Sequence, residues 1–275
     1  MKIAVLSDIH GNLPALQAVL EDAKRQSVDQ VVNLGDILSG PLLPAETADF
    51  LMERPDIVTI AGNHERQLLK MRERPRAQID ARNSDGYAAL RIEQRHADWL
   101  RTLAPQHWLA DGVLLVHGTP STDLVYWLET VVPGFGVDGS PGIRAATDAE
   151  LRERLQSGEV RAAQATLALC GHSHVPRAAQ CDGTLVVNPG SVGLQAFADD
   201  HLQRHIVETG APHARYAVVE RHVGGWNIDD WQVRLCSVGY DWEAMRRLAE
   251  ANGRPDWAYA LATGRMPPAD ATIGA

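Results

Sequence analysis

The sequence predicts an α/β protein, because short apolar runs alternate with stretches of helical period and each run ends in a small polar cluster. Ile3 to Leu6 enters Ser7-Asp8-Ile9-His10, Val31 to Leu34 enters Gly35-Asp36, and Ile57 to Ala61 enters Gly62-Asn63-His64. Val113 to Val116 enters His117-Gly118, Leu167 to Cys170 enters Gly171-His172-Ser173-His174, and Leu185 to Val187 enters Asn188-Pro189-Gly190-Ser191. Runs of about four apolar residues bounded by turn formers read as buried strands. Polar residues just past strands mark the edge on which α/β folds build their sites. These strand ends are therefore expected to converge on one place.

The elements between them follow in order. Leu13, Leu16, Leu20 and Ala23 share a helical face, with Asn12 placed as its N-cap. Ala45 to Met52 reads as a shorter helix, and residues 65–101 as a helical, cap-like insertion rich in Arg. Residues 119–145 carry Pro, Gly, Trp and Tyr and read as a long irregular loop. Residues 194–213 read as a polar, His-rich one, and both loops are expected beside the site. Ala214 to Glu220 and Trp231 to Cys236 read as strands, and Trp242 to Ala251 as a helix. No repeat, low-complexity tract or linker divides the chain. Residues 1–265 are thus expected to form a single domain, followed by a Pro- and Ala-rich tail at 266–275, expected to be disordered.

Composition narrows the class. The formal net charge is −9, so stable nucleic-acid binding is not expected. No run approaches a membrane span, and the first residues lack the pattern of a signal peptide. Three scattered cysteines, Cys170, Cys181 and Cys236, suit a reducing compartment and neither a disulfide framework nor a thiolate metal cluster. The expectation is a cytoplasmic enzyme acting on a small molecule. A homo-oligomer is left open.

The chemistry lies in the strand-end set Asp8, His10, Asp36, Asn63, His64, His117, His172 and His174. Carboxylates with neutral imidazoles form a mixed oxygen and nitrogen environment suited to Mn²⁺, Fe²⁺, Co²⁺ or Zn²⁺. Asp-x-His and His-x-His would each place alternate side chains on one side of an extended segment. The set exceeds what one tetrahedral ion needs, so two ions sharing a carboxylate fit better than one. Such a pair, about 3.5–4 Å apart, is a clamp for in-line displacement at phosphorus.

The motifs Asp8-Ile9-His10-Gly11-Asn12, Gly35-Asp36, Gly62-Asn63-His64-Glu65, His117-Gly118 and Gly171-His172-Ser173-His174 occur in the order of the calcineurin-like metallophosphoesterase superfamily, which the chain resembles over about residues 1–193. Asn188-Pro189-Gly190-Ser191-Val192-Gly193 resembles its bacterial and archaeal phosphodiesterase branch. The resemblance implies a four-layer sandwich of two mixed β-sheets flanked by helices. It implies that Asp8, His10 and His174 hold one divalent metal, that Asn63, His117 and His172 hold a second, and that Asp36 bridges both. The implied metals are Mn or Fe, with Zn, Co or Ni as alternatives. The implied nucleophile is a hydroxide between them, with Asp36 and His64 as catalytic residues. His64 would stabilise the transition state or protonate the leaving oxygen.

One departure bears on substrate. The phosphoprotein-phosphatase branch and diadenosine tetraphosphatases follow Gly-Asp with Arg-Gly, whereas this chain reads Gly35-Asp36-Ile37-Leu38-Ser39-Gly40-Pro41. Arginine clamps bind dianionic monoesters bidentately. A phosphodiester, small or nucleotide-like, is therefore the expected substrate. A phosphomonoesterase or protein phosphatase is the alternative, and a non-catalytic metal-binding scaffold of the same fold, as in a retromer subunit, is another. An intact set including His64 speaks against the scaffold, and the acidic balance against a nuclease with an extended track.

Three features keep two readings. Arg66, Lys70, Arg72, Arg74, Arg76, Arg82, Arg91, Arg95 and Arg101 are expected as solvated helix faces rather than a substrate-attracting rim. His201 and His205 are expected as a surface pair on a mobile loop. Tyr126, Trp127 and Leu128 either line an aromatic wall or anchor their loop to the core.

Overall fold

The computed structural model describes residues 1–157, 164–221 and 230–268. The first sheet runs β14 (Trp231–Val238), β13 (Ala214–Arg221), β1 (Lys2–Leu6), β2 (Gln30–Asn33), β3 (Ile57–Thr59). β1, β2 and β3 are parallel, while β13 pairs antiparallel with both β1 and β14. The second sheet runs β4 (Gln106–Ala110), β5 (Val113–Val116), β8 (Leu167–Leu169), β10 (Thr184–Asn188), β9 (Arg177–Cys181). Its central pairs β5–β8 and β8–β10 are parallel, and both edge strands are antiparallel.

Alternation along β1 explains the layering. Ile3 and Val5 face the second sheet and pack with Val113, Leu115, Leu167, Leu169 and Val187. Ala4 and Leu6 face the other way, into a cluster with α1 (Leu13–Arg25), α2 (Pro44–Met52), α3 (Asn63–Arg72), α4 (Ser84–Arg91) and α5 (Gln94–Thr102). Buried on both faces from Ile3 to Leu6, the strand must be apolar at each of those positions, which is why it reads as a continuous run. On the outer face of the second sheet, α6 (Asp148–Gln156) contributes Leu151 and Leu155. α7 (Trp242–Ala251) and α8 (Pro255–Thr263) form a further cluster with Leu42, Leu194 and Ala196. Two facing mixed sheets with helices outside give the four-layer sandwich expected from the resemblance.

Other details differ from the sequence expectation. Residues 119–145 contain the antiparallel pair β6 (Glu129–Val131) and β7 (Ile143–Ala145), and 194–213 contains the antiparallel pair β11 (Ala196–Asp199) and β12 (His205–Glu208). The edge strands β4 and β9 and the helices α6 and α8 were also unforeseen. β9 is half exposed and α6 buries only Leu151 and Leu155, so neither carries a strong apolar period. Most of the 266–275 tail lies outside the described residues.

Candidate metal centre

The strand-end loops are stitched together by backbone hydrogen bonds. Asp8 N donates to Gly35 O at 3.0 Å, His10 N to Asp36 O at 3.0 Å, Gly171 N to His117 O at 2.8 Å, and Gly193 N to Asp8 O at 3.0 Å. The approach is close enough to exclude side chains. A Cβ on Gly193 would lie 1.7 Å from Ile9 O, and one on Gly171 would lie 1.9 Å from Ser7 Oγ.

Asp8, His10, Asp36, His172 and His174 all adopt left-handed backbone, with φ of 56°, 53°, 54°, 69° and 57°. Non-glycine residues rarely do so, and the cost persists only where surroundings enforce it. Asp8 and His10 are thus brought together by a turn rather than by strand alternation. The turn also parts His172 from His174, contrary to the extended-segment expectation.

The result is two buried clusters. Ligand atoms of Asp8, His10 and His174 lie within 4.8 Å of one another, and so do those of Asp36, His117 and His172. Asn63 Oδ1 stands 3.1 Å from His117 Nε2, and His117 Nε2 lies 3.0 Å from Asp36 Oδ2. The structure thus brings together Asp8, His10 and His174, and separately Asp36, His117 and His172 with Asn63 beside them.

The tautomers show what the clusters are built to hold. His10 Nδ1 faces Ser39 O, His174 Nδ1 faces Leu194 O, and His117 Nδ1 faces Leu34 O, each at 2.8 Å. A carbonyl only accepts, so each Nδ1 carries a proton and each Nε2 turns inward; on His10, held neutral, that Nε2 is a lone pair. His10 Nε2 and His174 Nε2 are 3.1 Å apart, and Asp8 Oδ1 is buried with no hydrogen-bond partner. His174 Nε2 also lies 3.3 Å from Asp8 Oδ1, so two imidazole nitrogens and a carboxylate oxygen converge on one buried point, a donor set that fits divalent metal. Burial, then the charge of His174, lowers the His10 pKa to about 4; burial, then His117, lowers that of His172 to about 3. Both rings are thereby neutral and ready to ligate. Burial opposes the charge on His117, but Asp36 outweighs it and raises that pKa to about 9.

Asp36 and the start of α3 are held by Glu65, whose carboxylate accepts from Asp36 N, Ile37 N and Gly62 N, each at 2.8 Å. His64 N donates to Asp36 Oδ1 at 3.0 Å. The His64 ring belongs to neither cluster, stands 5.6 Å from the His10 ring and lines the cleft. Its Nδ1 lies 2.8 Å from Asp85 Oδ1. Burial disfavours the imidazolium, but Asp36 and Asp85 outweigh it and raise the His64 pKa to about 10. Asp85 escaped sequence reasoning because nothing local marks it. A second unforeseen support is Glu129, which accepts from Arg177 Nε at 2.8 Å and, by a short bond, from Ser173 Oγ between the two histidines of the loop.

The clusters open into a cleft of about 590 Å³. His205 is a correction: it is 1% exposed, and its Nε2 accepts the Tyr126 hydroxyl at 2.9 Å, because β11–β12 folds its ring inward. His201 is exposed and lines the cleft. Trp127 is buried against the second sheet, whereas Tyr126 reaches the cleft. None of the nine basic residues between 66 and 101 lines it. Arg66 instead pairs with Asp123, Arg82 with Asp80 and Arg101 with Asp98.

Comparison with known proteins agrees with this geometry. Residues 1–210 match the model of the calcineurin-like phosphoesterase superfamily domain. The chain is similar to the uncharacterized protein MJ0912 of Methanocaldococcus jannaschii, 23% identical over 264 residues, covering 93% of this chain and 94% of that protein. Among solved structures, it shares the fold of a metallophosphoesterase from Sphaerobacter thermophilus, with TM-score 0.70, 23% identity and coverage of 96% and 99%. It likewise shares that of hypothetical protein PH1004 from Pyrococcus horikoshii, with TM-score 0.67, 18% identity and coverage of 97% and 99%. The chain belongs to the calcineurin-like phosphoesterase superfamily.

Proposed function

We propose that this calcineurin-like phosphoesterase is a two-metal phosphodiesterase acting on small or nucleotide-like diesters. The carrying observation is the convergence of His10 Nε2, His174 Nε2 and Asp8 Oδ1 on one buried point, beside a second cluster at Asp36, Asn63 and His117. Asp8, His10 and His174 would hold one cation, Asn63, His117 and His172 the other, with Asp36 shared. Bound there, Mn or Fe would supply Lewis acidity and activation of water near neutral pH.

The chain's own residues supply the rest. Asp85 fixes the Nδ1 proton of His64 and leaves Nε2 for the cleft. The Asp85 carboxylate favours the protonated ring, so His64 can donate to the departing oxygen. Glu65 and the His64 amide hold Asp36 in place without competing for its Oδ2. The missing Arg-Gly after Asp36 favours a monoanionic diester over a dianionic monoester. No helix of the described residues is long and apolar enough to cross a membrane.

The test compares bis-p-nitrophenyl phosphate with p-nitrophenyl phosphate after chelator stripping and Mn²⁺ reloading. Diester hydrolysis that disappears on stripping and returns with Mn²⁺ is expected. Hydrolysis of the monoester alone would replace the proposal with a phosphomonoesterase, and inactivity on both with metal bound would favour a scaffold.

A further inference from the structure

Beyond the metal clusters the cleft has a wall with a definite chemistry. Phe197 on β11 packs edge-on at 4.6 Å from the His174 ring, and Tyr126 lies 4.7 Å from the His172 ring, so each cluster is flanked by an aromatic. His205 joins them, 5.5 Å from Tyr126 and 6.5 Å from Phe197. Its Nδ1 faces Gln203 O at 2.8 Å, so the Tyr126 hydroxyl is spent on Nε2. Tyr126 and His205 are buried, so the wall offers the half-buried Phe197 ring backed by theirs, and little free hydrogen-bonding capacity.

Its charges are equally telling. The described lining contains two arginines and no lysine. Arg154 donates to Trp127 O, Glu129 O and Thr130 Oγ1. Arg254 forks onto Asp256 and also donates to Arg82 O and Ser84 Oγ. Both guanidiniums are thus engaged by the protein itself. Of the lining carboxylates, Asp85, Glu129 and Asp256 have cationic or imidazole partners, whereas Asp199, at the end of β11, accepts only from the His201 backbone N–H.

We infer that the substrate is a diester with a single phosphate, whose other substituent is an uncharged aromatic group of nucleoside type held against Phe197, and that Asp199 rejects substrates bearing a further phosphate. This rests on the phosphodiesterase reading above. An aromatic face gives a base or aryl ring stacking without demanding a particular hydrogen-bond pattern. A like charge near Asp199 in a partly closed cleft is penalised more than in water.

The experiment uses the Mn²⁺-reloaded protein with three probes: bis-p-nitrophenyl phosphate, thymidine 5′-(p-nitrophenyl phosphate), and the same nucleoside probe phosphorylated at its 3′ oxygen. The expected kcat/KM for the plain nucleoside probe exceeds that for its 3′-phosphorylated form by about tenfold or more. Asp199→Asn narrows that ratio. Phe197→Leu, which keeps an apolar side chain beside His174 and is checked for unchanged metal content, lowers kcat/KM on the nucleoside probe by roughly tenfold, chiefly through KM. Equal use of the 3′-phosphorylated probe, or indifference of the nucleoside probe to Phe197→Leu, overturns the inference. Hydrolysis of bis-p-nitrophenyl phosphate without any hydrolysis of the nucleoside probe overturns it too and leaves the phosphodiesterase reading standing. Failure on all three probes removes both.

Discussion

Asp85 Oδ1 lies 2.8 Å from His64 Nδ1, joining the first turns of α4 and α3 across the rim of the cleft. Asn83 supports the carboxylate from below by capping α4, its Oδ1 accepting from Asp85 N at 2.9 Å and Gly86 N at 3.0 Å. His64 is therefore oriented by Asp85, whose charge adds to that of Asp36 in favouring its imidazolium.

Asp85→Asn should keep an acceptor opposite Nδ1 while removing the charge. The His64 pKa, raised to about 10, should fall, and the alkaline limb of kcat/KM should move to lower pH. Turnover at neutral pH should drop by about tenfold or more, with metal content unchanged. A pH–rate profile that overlays the parent's would show that Asp85 is only structural.

His64→Ala should retain metal and lower kcat by about 10²–10⁴-fold, the range for loss of a general acid or base. Elemental analysis beside turnover checks it. Loss of metal would make His64 a ligand.

Glu65→Gln should destabilise the fold. Glu65 is 1% exposed and accepts three backbone N–H groups, so an amide NH₂ in its place faces donors. Each buried donor left unmatched costs about 1–3 kcal/mol. Thermal melting should show Tm lowered by about 5 °C or more, and an unchanged Tm would mean that the loop finds other acceptors.

Stability of the chelator-stripped protein should peak near pH 6.5. His10 and His172 have folded pKa values of about 4 and 3, below the ordinary 6.5, so the unfolded chain binds more protons on acidification and stability falls as pH drops from 6.5. His64 and His117 have folded values of about 10 and 9, so their contribution is complete below 6.5 and is lost as pH rises through 9 to 10. Melting temperatures across pH 4–10 test this; a monotonic profile would contradict it.

Binding of Mn²⁺ to the stripped protein at pH 8 should release protons, because His117 is held protonated with a pKa of about 9 and must lose a proton to ligate. Calorimetry in buffers of differing ionisation enthalpy should detect about one proton per protein. Identical heats in those buffers would place the metal elsewhere.

The candidate ligands were legible because most of them follow a strand whose burial on both faces forces an unbroken apolar run. Val113 to Val116 is buried throughout, and His117 comes directly after it. Glycines made the loops legible too, since Gly171 and Gly193 stand where neighbouring backbone and side chains leave no room for a Cβ. By contrast, β4 is mostly exposed and carries no comparable period.

By itself, then, the sequence determined the central strands, the polar residues at their ends and the metal chemistry those residues can support. The tertiary structure decided which of them share a cluster. It placed His172 beside Asp36 and His174 beside Asp8 although one residue separates them, because left-handed turns redirect each side chain. It also brought Asp85 to His64 across 21 positions and His205 to Tyr126 across 79. Those contacts are set by how hairpins and helices pack over the strand ends, and packing leaves no local period in the chain from which to read them.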